Sequence, residues 1–488
     1  MEECEKRMNK AKNNRNTKWY ERKEIQIFIL AVLSMSIAAI YVTLCFNRNI
    51  WTDEAFTVDL LNHHKTFGAI MAYTATDVHP PLYYWILKCF TDVFGVKFAL
   101  IKILSIVPMV LTFGLGITYV RKRFGFITAL LFIGMTAAIP SSMEYAVQMR
   151  MYAWCMFFVT GAGFAAFDAW ETGRKRSFVF LGICSVCAAY SHYFAFAAVL
   201  WIYGFLFLGI VYRLLRKQGG KGRMIAFWVT VAGSVVAYLP WVPYFMKQIS
   251  GVSASYWIPE ITGKVIREYY DWLFLSDYPG VVQMCQILFG LALVGLAVRL
   301  VVKRTKEDAA AFFALLVPVM VVVTGVVLSK LIRPIFIIRY VMSCVPLLCF
   351  FFAVVMARLR KEVLTMLGLV LILLTVMSYK TNYRDEYQAT YTEQTLDYLE
   401  EHAGEEDLII YNYGIYDFIY QCYFDNDRLY HVQNVDFAGD YERMWFLCTV
   451  YQPMPDMNVL VANGWTMNYI GDYGIEQNEF WLYELVKE

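Results

Sequence analysis

Long apolar runs alternate along the chain with short charged punctuation, and the first run, Ile25 to Phe46, contains no charged residue. At roughly 1.5 Å of rise per helical residue it is long enough to cross a hydrocarbon core about 30 Å thick. It exceeds the roughly 7–15 apolar residues of a secretory signal and shows no convincing small-residue cleavage site, so it reads as a retained anchor. Further apolar stretches fall at about 98–120, 124–140, 151–170, 178–191, 194–212, 224–245, 281–302, 309–328, 341–357 and 363–379, which predicts about eleven transmembrane helices. The uncharged stretch from Phe178 to Tyr212 is too long for one span, which places a tight turn at Ser191-His192-Tyr193.

Every second connection should collect Lys and Arg on the cytoplasmic side, and it does. The basic set is the N-terminal segment (Lys6, Arg7, Lys10, Lys12, Arg15, Lys18, Arg22, Lys23), Arg121 to Arg123, Arg174 to Arg176, Arg213 to Arg223, Arg299 to Lys306 and Arg358 to Lys361, together more than half of the 43 basic residues. The other side holds loop 47–97, shorter loops near 141–150, 246–280 and 329–340, and a tail from Lys380; all 6 histidines fall there or at its edge. The predicted organisation is a basic cytoplasmic arm at 1–24, a transmembrane domain at 25–379 and an extracytoplasmic soluble α/β domain at 380–488, in a multi-pass protein of the plasma membrane. Within the tail, Thr390 to His402 reads as a helix, and Asp407 to Asn412, Arg428 to Val432, Met444 to Val450 and Glu479 to Leu485 read as strands. Phe424 to Tyr430, with Asp425-Asn426-Asp427 inside it, reads as a hairpin turn rather than a metal-holding triplet.

Composition excludes an ordinary soluble enzyme: 59% of the 488 residues are hydrophobic, 17% are charged, and mean hydropathy is +0.46. A net charge of +2 argues neither for nucleic acid nor for an acidic partner. Most of the 11 cysteines lie inside spans; only Cys422 and Cys448 share the tail, and sequence separation leaves open whether they pair. There is no Walker loop, dinucleotide fingerprint, HExxH or nucleophile elbow, which turns attention away from nucleotide substrates.

Candidate chemistry gathers in the external loops. Loop 47–97 opens with Trp51-Thr52-Asp53-Glu54-Ala55-Phe56, where Thr52 would cap a helix whose first-turn acids gain from its dipole. Phe56, Leu60 and Leu61 fall on one side of that helix, which suits a helix lying at the membrane interface. Asp77-Val78-His79-Pro80-Pro81-Leu82-Tyr83-Tyr84 opens the next helix with proline in its first turn. Arg150 stands at the mouth of a span, and Arg333 and Arg339-Tyr340 precede the tenth, giving three arginines able to converge on a phosphate.

Asp53-Glu54-Ala55, Asp77-x-His79-Pro80-Pro81-Leu82-Tyr83-Tyr84, Arg150-Met151-Tyr152, His192-Tyr193-Phe194, Leu239-Pro240-Trp241, Tyr256-Trp257-Ile258-Pro259 and Arg339-Tyr340 together resemble the polyprenyl-phosphate-sugar-dependent transferases of glycosyltransferase family 39. That family includes the protein O-mannosyltransferases and the aminoarabinose transferase of lipid A. The resemblance runs from about residue 25 to 355, and Gln148 stands where many members carry a glutamate, so Gln148 is kept out of the catalytic set.

The resemblance implies an α-helical polytopic membrane protein of the GT-C fold. Its activity would be inverting transfer of a sugar from a polyprenyl-phosphate carrier to an extracytoplasmic protein, lipid or envelope glycan. On that reading Asp53 is the general base, a role worth roughly 10²–10⁴-fold in rate, and Glu54 positions it or orients the acceptor. Arg150, Tyr152, Arg339 and Tyr340 would hold the lipid phosphate, with Asp77, His79, His192 and Tyr193 completing the donor site and Lys102 and Arg333 as lesser candidates. No metal is required, although Asp77, His79 and His192 would make a divalent site if they met. The competing readings are a transporter or flippase for a lipid-linked or polar anionic solute, which lacks support from inverted repeats, and a silent glycolipid-binding scaffold. The sugar, the acceptor and the oligomeric state are not set by the sequence.

Overall fold

The computed structural model describes residues 22–46, 50–254, 258, 260–272, 279–303, 305–387, 390–449, 452, 454, 457–476 and 478–487. Nearly all of the basic arm, and Tyr256, Trp257 and Pro259, lie outside the described residues. Among the described residues 9 helices are long and apolar enough to cross a bilayer, beginning with Lys23–Leu44 and ending with Lys361–Tyr383. A further span is broken: Phe126–Ala138 and Pro140–Val147 meet at 71°, with Pro140, which has no N–H to donate, at the first position of the second piece. The remaining apolar stretch is the helix Lys175–Ala189, whose 15 residues rise only about 22 Å. Among the described residues the expected eleven thus become nine by length, ten with the bent pair taken as one span, plus this one short helix.

The helix Tyr152–Thr172 is the centre of the bundle, with 78% of its apolar window buried. Small residues let its neighbours close in: a Cβ at Gly161 would lie 3.0 Å from Cys184 Sγ, and one at Gly163 would lie 3.0 Å from Leu347 Cδ2. At one end of the bundle the basic clusters converge. Arg123 pairs with Glu171 and with Asp168 (3.2 Å), Lys306 with Glu171 (3.1 Å), and Arg299 and Arg358 with the fully buried Asp308. The candidate residues stand on the loops of the opposite end.

The tail carries the helix Thr390–His402 and a five-stranded sheet of β1 (Leu408–Tyr411), β2 (Leu429–His431), β3 (Arg443–Cys448), β4 (Trp465–Ile475) and β5 (Asn478–Lys487), ordered β2-β1-β3-β5-β4. Strand β1 runs parallel to both β2 and β3, while β5 is antiparallel to β3 and β4. The parallel pairing corrects one expectation: Phe424 to Tyr430 is not a hairpin turn but the end of a crossover, because the short helix Asp417–Tyr420 lies between β1 and β2. Strand β4 has no counterpart in the sequence reading; its Asn468, Tyr469 and Asp472 break a simple apolar alternation. Cys422 and Cys448 are both free thiols.

The tail sits on the loop 47–97 and the start of the helix after it: the Phe418 ring meets Phe56 edge-on at 5.5 Å and Tyr423 meets Phe98 at 6.3 Å. This covering adds to the sequence reading of the loop helix Thr52–His63, which saw one apolar side only. Its residues Glu54, Ala55, Thr57, Val58, Leu60 and Leu61 are buried on several sides, not along one stripe.

Gly325 and Phe336 gauge the packing beside the site. A Cβ at Gly325 would fall 2.3 Å from Phe336 Cδ2, and Phe336 is 1% exposed against Phe194. Gly325→Ala should therefore cost about 1–3 kcal/mol by overpacking, read as a lower thermal midpoint of the purified protein and partly restored by Phe336→Leu. An unchanged midpoint would show that Phe336 yields freely.

Candidate active site

The helix Thr52–His63 begins one residue earlier than a Thr52 cap would place it, with Trp51 as the flanking residue. Its first turn is fixed by Glu54, 3% exposed, whose two oxygens accept from the Trp51 amide (3.3 Å) and the Met149 amide (2.6 Å). The second bond matters most, because residues 148–151 leave the helical ladder and their amides need other partners. Burial pushes the Glu54 carboxyl up, while Lys102 and the two amides pull it down.

Next to Met149 stands Arg150, 1% exposed. Its guanidinium donates to the Asp53 carbonyl (2.9 Å), Thr57 Oγ1 (3.3 Å) and Tyr84 Oη (3.3 Å), and approaches His79 Nε2 at 3.5 Å. Burial opposes its charge, but Tyr84, Asp53 and Asp77 around it restore and exceed the loss. The Asp53 carboxylate, 29% exposed, lies 3.9 Å from Arg150 and 3.5 Å from Arg339. Arg339 sits at the start of a 3-10 turn, Ile338–Cys344, with its guanidinium 4.9 Å from the centre of the Trp51 ring.

The histidines lie beside this pair of arginines. Asp77 accepts from His79 Nδ1 at 2.8 Å, and although burial works against its ionisation, that histidine, the Val78 amide and Arg150 hold its carboxyl below the usual carboxylate range. His192 caps the helix Tyr193–Leu215 by accepting from the Phe194 amide (3.1 Å), at the turn expected for Ser191-His192-Tyr193. Burial, with His79, Arg150 and Arg339 nearby, holds His192 well below the usual histidine range, so it is neutral. Its ring stands 5.7 Å from His79, 5.9 Å from Tyr152 and 4.7 Å from Tyr340.

These side chains do not assemble a metal site: among the described residues no group of three or more His, Cys, Asp or Glu could hold an ion. The donor geometry says why. His79 Nδ1 is engaged by Asp77, His192 Nδ1 by an amide, and the position facing His79 Nε2 is taken by the fixed positive charge of Arg150.

All ten candidate residues therefore share one end of the bundle, and nine of them join a network around Asp53 and His192. Tyr193 stands slightly apart, bonded to Gln248 and accepting from Trp241 Nε1 at 3.1 Å. Gln248 also donates to the carbonyls of Thr74 (2.7 Å) and Asp77 (2.6 Å), which ties the helix Val242–Ala254 to the histidine loop. The sequence reading passed over Gln248, Trp51, Thr57 and Tyr84. The signal for Gln248 was a polar residue six positions after Val242 in an apolar stretch; Trp51 and Tyr84 stood inside quoted motifs. Lys102 is fully buried, and Arg333 lies on the connection ahead of the 3-10 turn.

Beside the network opens a cavity of about 370 Å³, lined at one end by His79, His192, Tyr193, Gln248 and Tyr340 and beyond them by Phe196, Leu200, Leu328 and Ile332. Among the described residues, buried donors of this site without a partner include Trp51 Nε1, Tyr152 Oη and Arg150 Nε. The arrangement offers a carboxylate, two guanidiniums and an apolar slot in sequence from the tail-covered face into the bundle.

Comparison with known proteins defines the class. Residues 78–244 match a family model described as dolichyl-phosphate-mannose-protein mannosyltransferase. Among solved structures the chain is similar to ArnT from Cupriavidus metallidurans in the apo state, at 11% identity and a TM-score of 0.59 over 93% of this chain and 97% of that one. It is similar also to the same organism's ArnT bound to undecaprenyl phosphate, at 10% identity and a TM-score of 0.55 over 94% and 97% of the two chains. No curated protein matches. The chain is thus a multi-pass membrane protein of the GT-C glycosyltransferase fold. Within that class its resemblance to the mannosyltransferase-like family 39 is carried by the matched segment, which holds His79, Arg150, Tyr152, His192 and Tyr193.

Arg150→Lys keeps the charge but not the fork, whose Nη1 meets the Asp53 carbonyl, Thr57 and Tyr84 while Nη2 faces His79 and the Asp53 carboxylate. We expect it to lose about 2 kcal/mol of stability, measured as a fall in thermal midpoint against wild type in the same detergent. A midpoint equal to wild type would mean that the three bonds are not held together.

Proposed function

We propose that this protein is a membrane glycosyltransferase that moves a sugar from a polyprenyl-phosphate carrier to an acceptor hydroxyl on the face covered by the tail. The observation that carries the reading is the junction of the Asp53, Arg150 and Arg339 cluster with the apolar cavity below His79 and His192. An isoprenoid needs an apolar slot reached from the bilayer, and its phosphate needs fixed cations at the slot's end. The fold it shares with an ArnT bound to undecaprenyl phosphate supports the same carrier class.

In this reading the acceptor oxygen attacks the anomeric carbon, its proton passes to Asp53, and the bond to the carrier phosphate breaks with its electron pair leaving on the phosphate oxygen. One displacement inverts the anomeric centre. Arg150 and Arg339 stabilise the growing negative charge on the leaving group, with Tyr152 and Tyr340 as further donors. Glu54, whose oxygens are both taken by amides, positions the turn that carries Asp53. Neutral His192 and the His79–Asp77 pair shape the polar end of the slot. The basic end of the bundle faces the cytoplasm by the positive-inside rule, which places the tail and the site outside.

The test is mass spectrometry of polyprenyl-phosphate-linked sugars in membranes of cells lacking the protein, complemented with wild type or Asp53→Asn. One lipid-linked sugar should accumulate and be cleared by wild type, with clearance by Asp53→Asn slower by roughly 10²–10⁴-fold. Equal clearance by both forms would remove the base role of Asp53, and no change in any such lipid would remove the carrier.

A further inference from the structure

Glu476 lies near the far end of the chain, on the turn between β4 and β5, yet its Oε2 accepts from the amide of Ile50 at 2.8 Å across 426 positions of sequence. Ile50 is 1% exposed and Glu476 8%. The next amide, that of Trp51, is taken by Glu54 Oε2. Two consecutive amides ahead of the Asp53 helix are therefore held by two glutamates from opposite ends of the protein. The Trp51 carbonyl then accepts from the amides of Glu54 (2.8 Å) and Ala55 (3.0 Å), starting the turn that carries Asp53, while the Trp51 ring lies under Arg339.

The turn that presents Glu476 is itself built with care. Its φ of 56° lies in the left-handed region that glycine occupies more easily, so the side chain is kept there against the backbone's preference. Its amide donates to Thr392 Oγ1 at 2.7 Å, and Thr395 Oγ1 donates to the Gly474 carbonyl at 2.7 Å. The other carboxyl oxygen is bonded to Tyr423 Oη.

We propose that Glu476 is a positioning residue for Asp53: the tail latches the first external loop through the Ile50 amide and thereby sets the turn on which the base stands. This rests on the reading of Asp53 as the base. The groups facing Glu476 are Tyr423, the Ile50 amide, Lys102 and Glu54; burial pushes its carboxyl up to about 8, and Glu54 adds to the rise against the pull of the other three. The carboxyl is therefore mainly protonated near neutral pH, and glutamine, neutral and of the same shape, reproduces the acceptor that the latch uses.

The experiment compares full-length wild type, Glu476→Ala, Glu476→Gln and Asp53→Asn. It reads hydrogen exchange of a peptide covering residues 50–58, binding of undecaprenyl phosphate as the probe, and clearance of the lipid-linked sugar in the complementation assay. Glu476→Ala should raise exchange at 50–58 at least tenfold and lower clearance at least tenfold. Exchange of the 152–172 span should stay unchanged and probe affinity should stay within twofold. Glu476→Gln should match wild type in all four readouts. The inference is overturned by unchanged exchange or unchanged clearance in Glu476→Ala, by exchange that rises equally across the bundle, or by failure of Gln to rescue. Asp53→Asn should keep wild-type exchange and lose clearance; if it clears normally, the base reading fails, whereas normal clearance by Glu476→Ala alone removes only the latch.

Discussion

A guanidinium that is 1% exposed must find its partners inside the protein, and Arg150 finds them on three separate stretches of chain: Asp53 and Thr57, His79, and Tyr84. An unpaired charge at that depth would be costly enough to unseat the loops around it. Partners drawn from the first loop hold that loop against the mouth of the central span. The same bonds aim the Asp53 carboxylate toward Arg339, so one requirement, satisfying a buried cation, organises the whole end of the bundle.

The irregular backbone at that end obeys the rule that polar groups near a membrane interior need internal partners. The Met149 amide is met by Glu54, the Phe194 amide by His192, the Leu82 amide by the Tyr190 carbonyl (3.0 Å), and the Ile335 amide by Ser329 (3.1 Å). Several of the residues with candidate chemistry are thus also the ones that make broken helices tolerable. Glu54 shows this most fully, since both of its oxygens are spent on main-chain amides.

Much of this was legible from the amino-acid sequence because it rests on local patterns. Uncharged runs marked the spans, basic clusters marked the connections that meet around Glu171 and Asp308, and Thr390–His402 follows from its own periodicity. What escaped depends on contacts between distant residues. The sequence showed one apolar side at Phe56, Leu60 and Leu61, but nothing local announced that Phe418 would meet Phe56 from the tail. The crossover between β1 and β2 looked like a hairpin because a turn sequence does not say whether the next strand runs parallel. Gln248 and Glu476 act on main-chain groups 171 and 426 positions away, and a main-chain amide leaves no mark in a sequence.

The bond between Ile50 and Glu476 also has a direction in time. A ribosome adding roughly 5–20 residues per second needs on the order of 20–80 s between the two residues. Through that interval the first loop is already across the membrane in the proposed topology while its partner is still unmade. The bundle can insert span by span, but this part of the end that carries Asp53 closes only when the last strands of the tail have folded back, so a nascent chain can be fully embedded in the bilayer before its first loop is set.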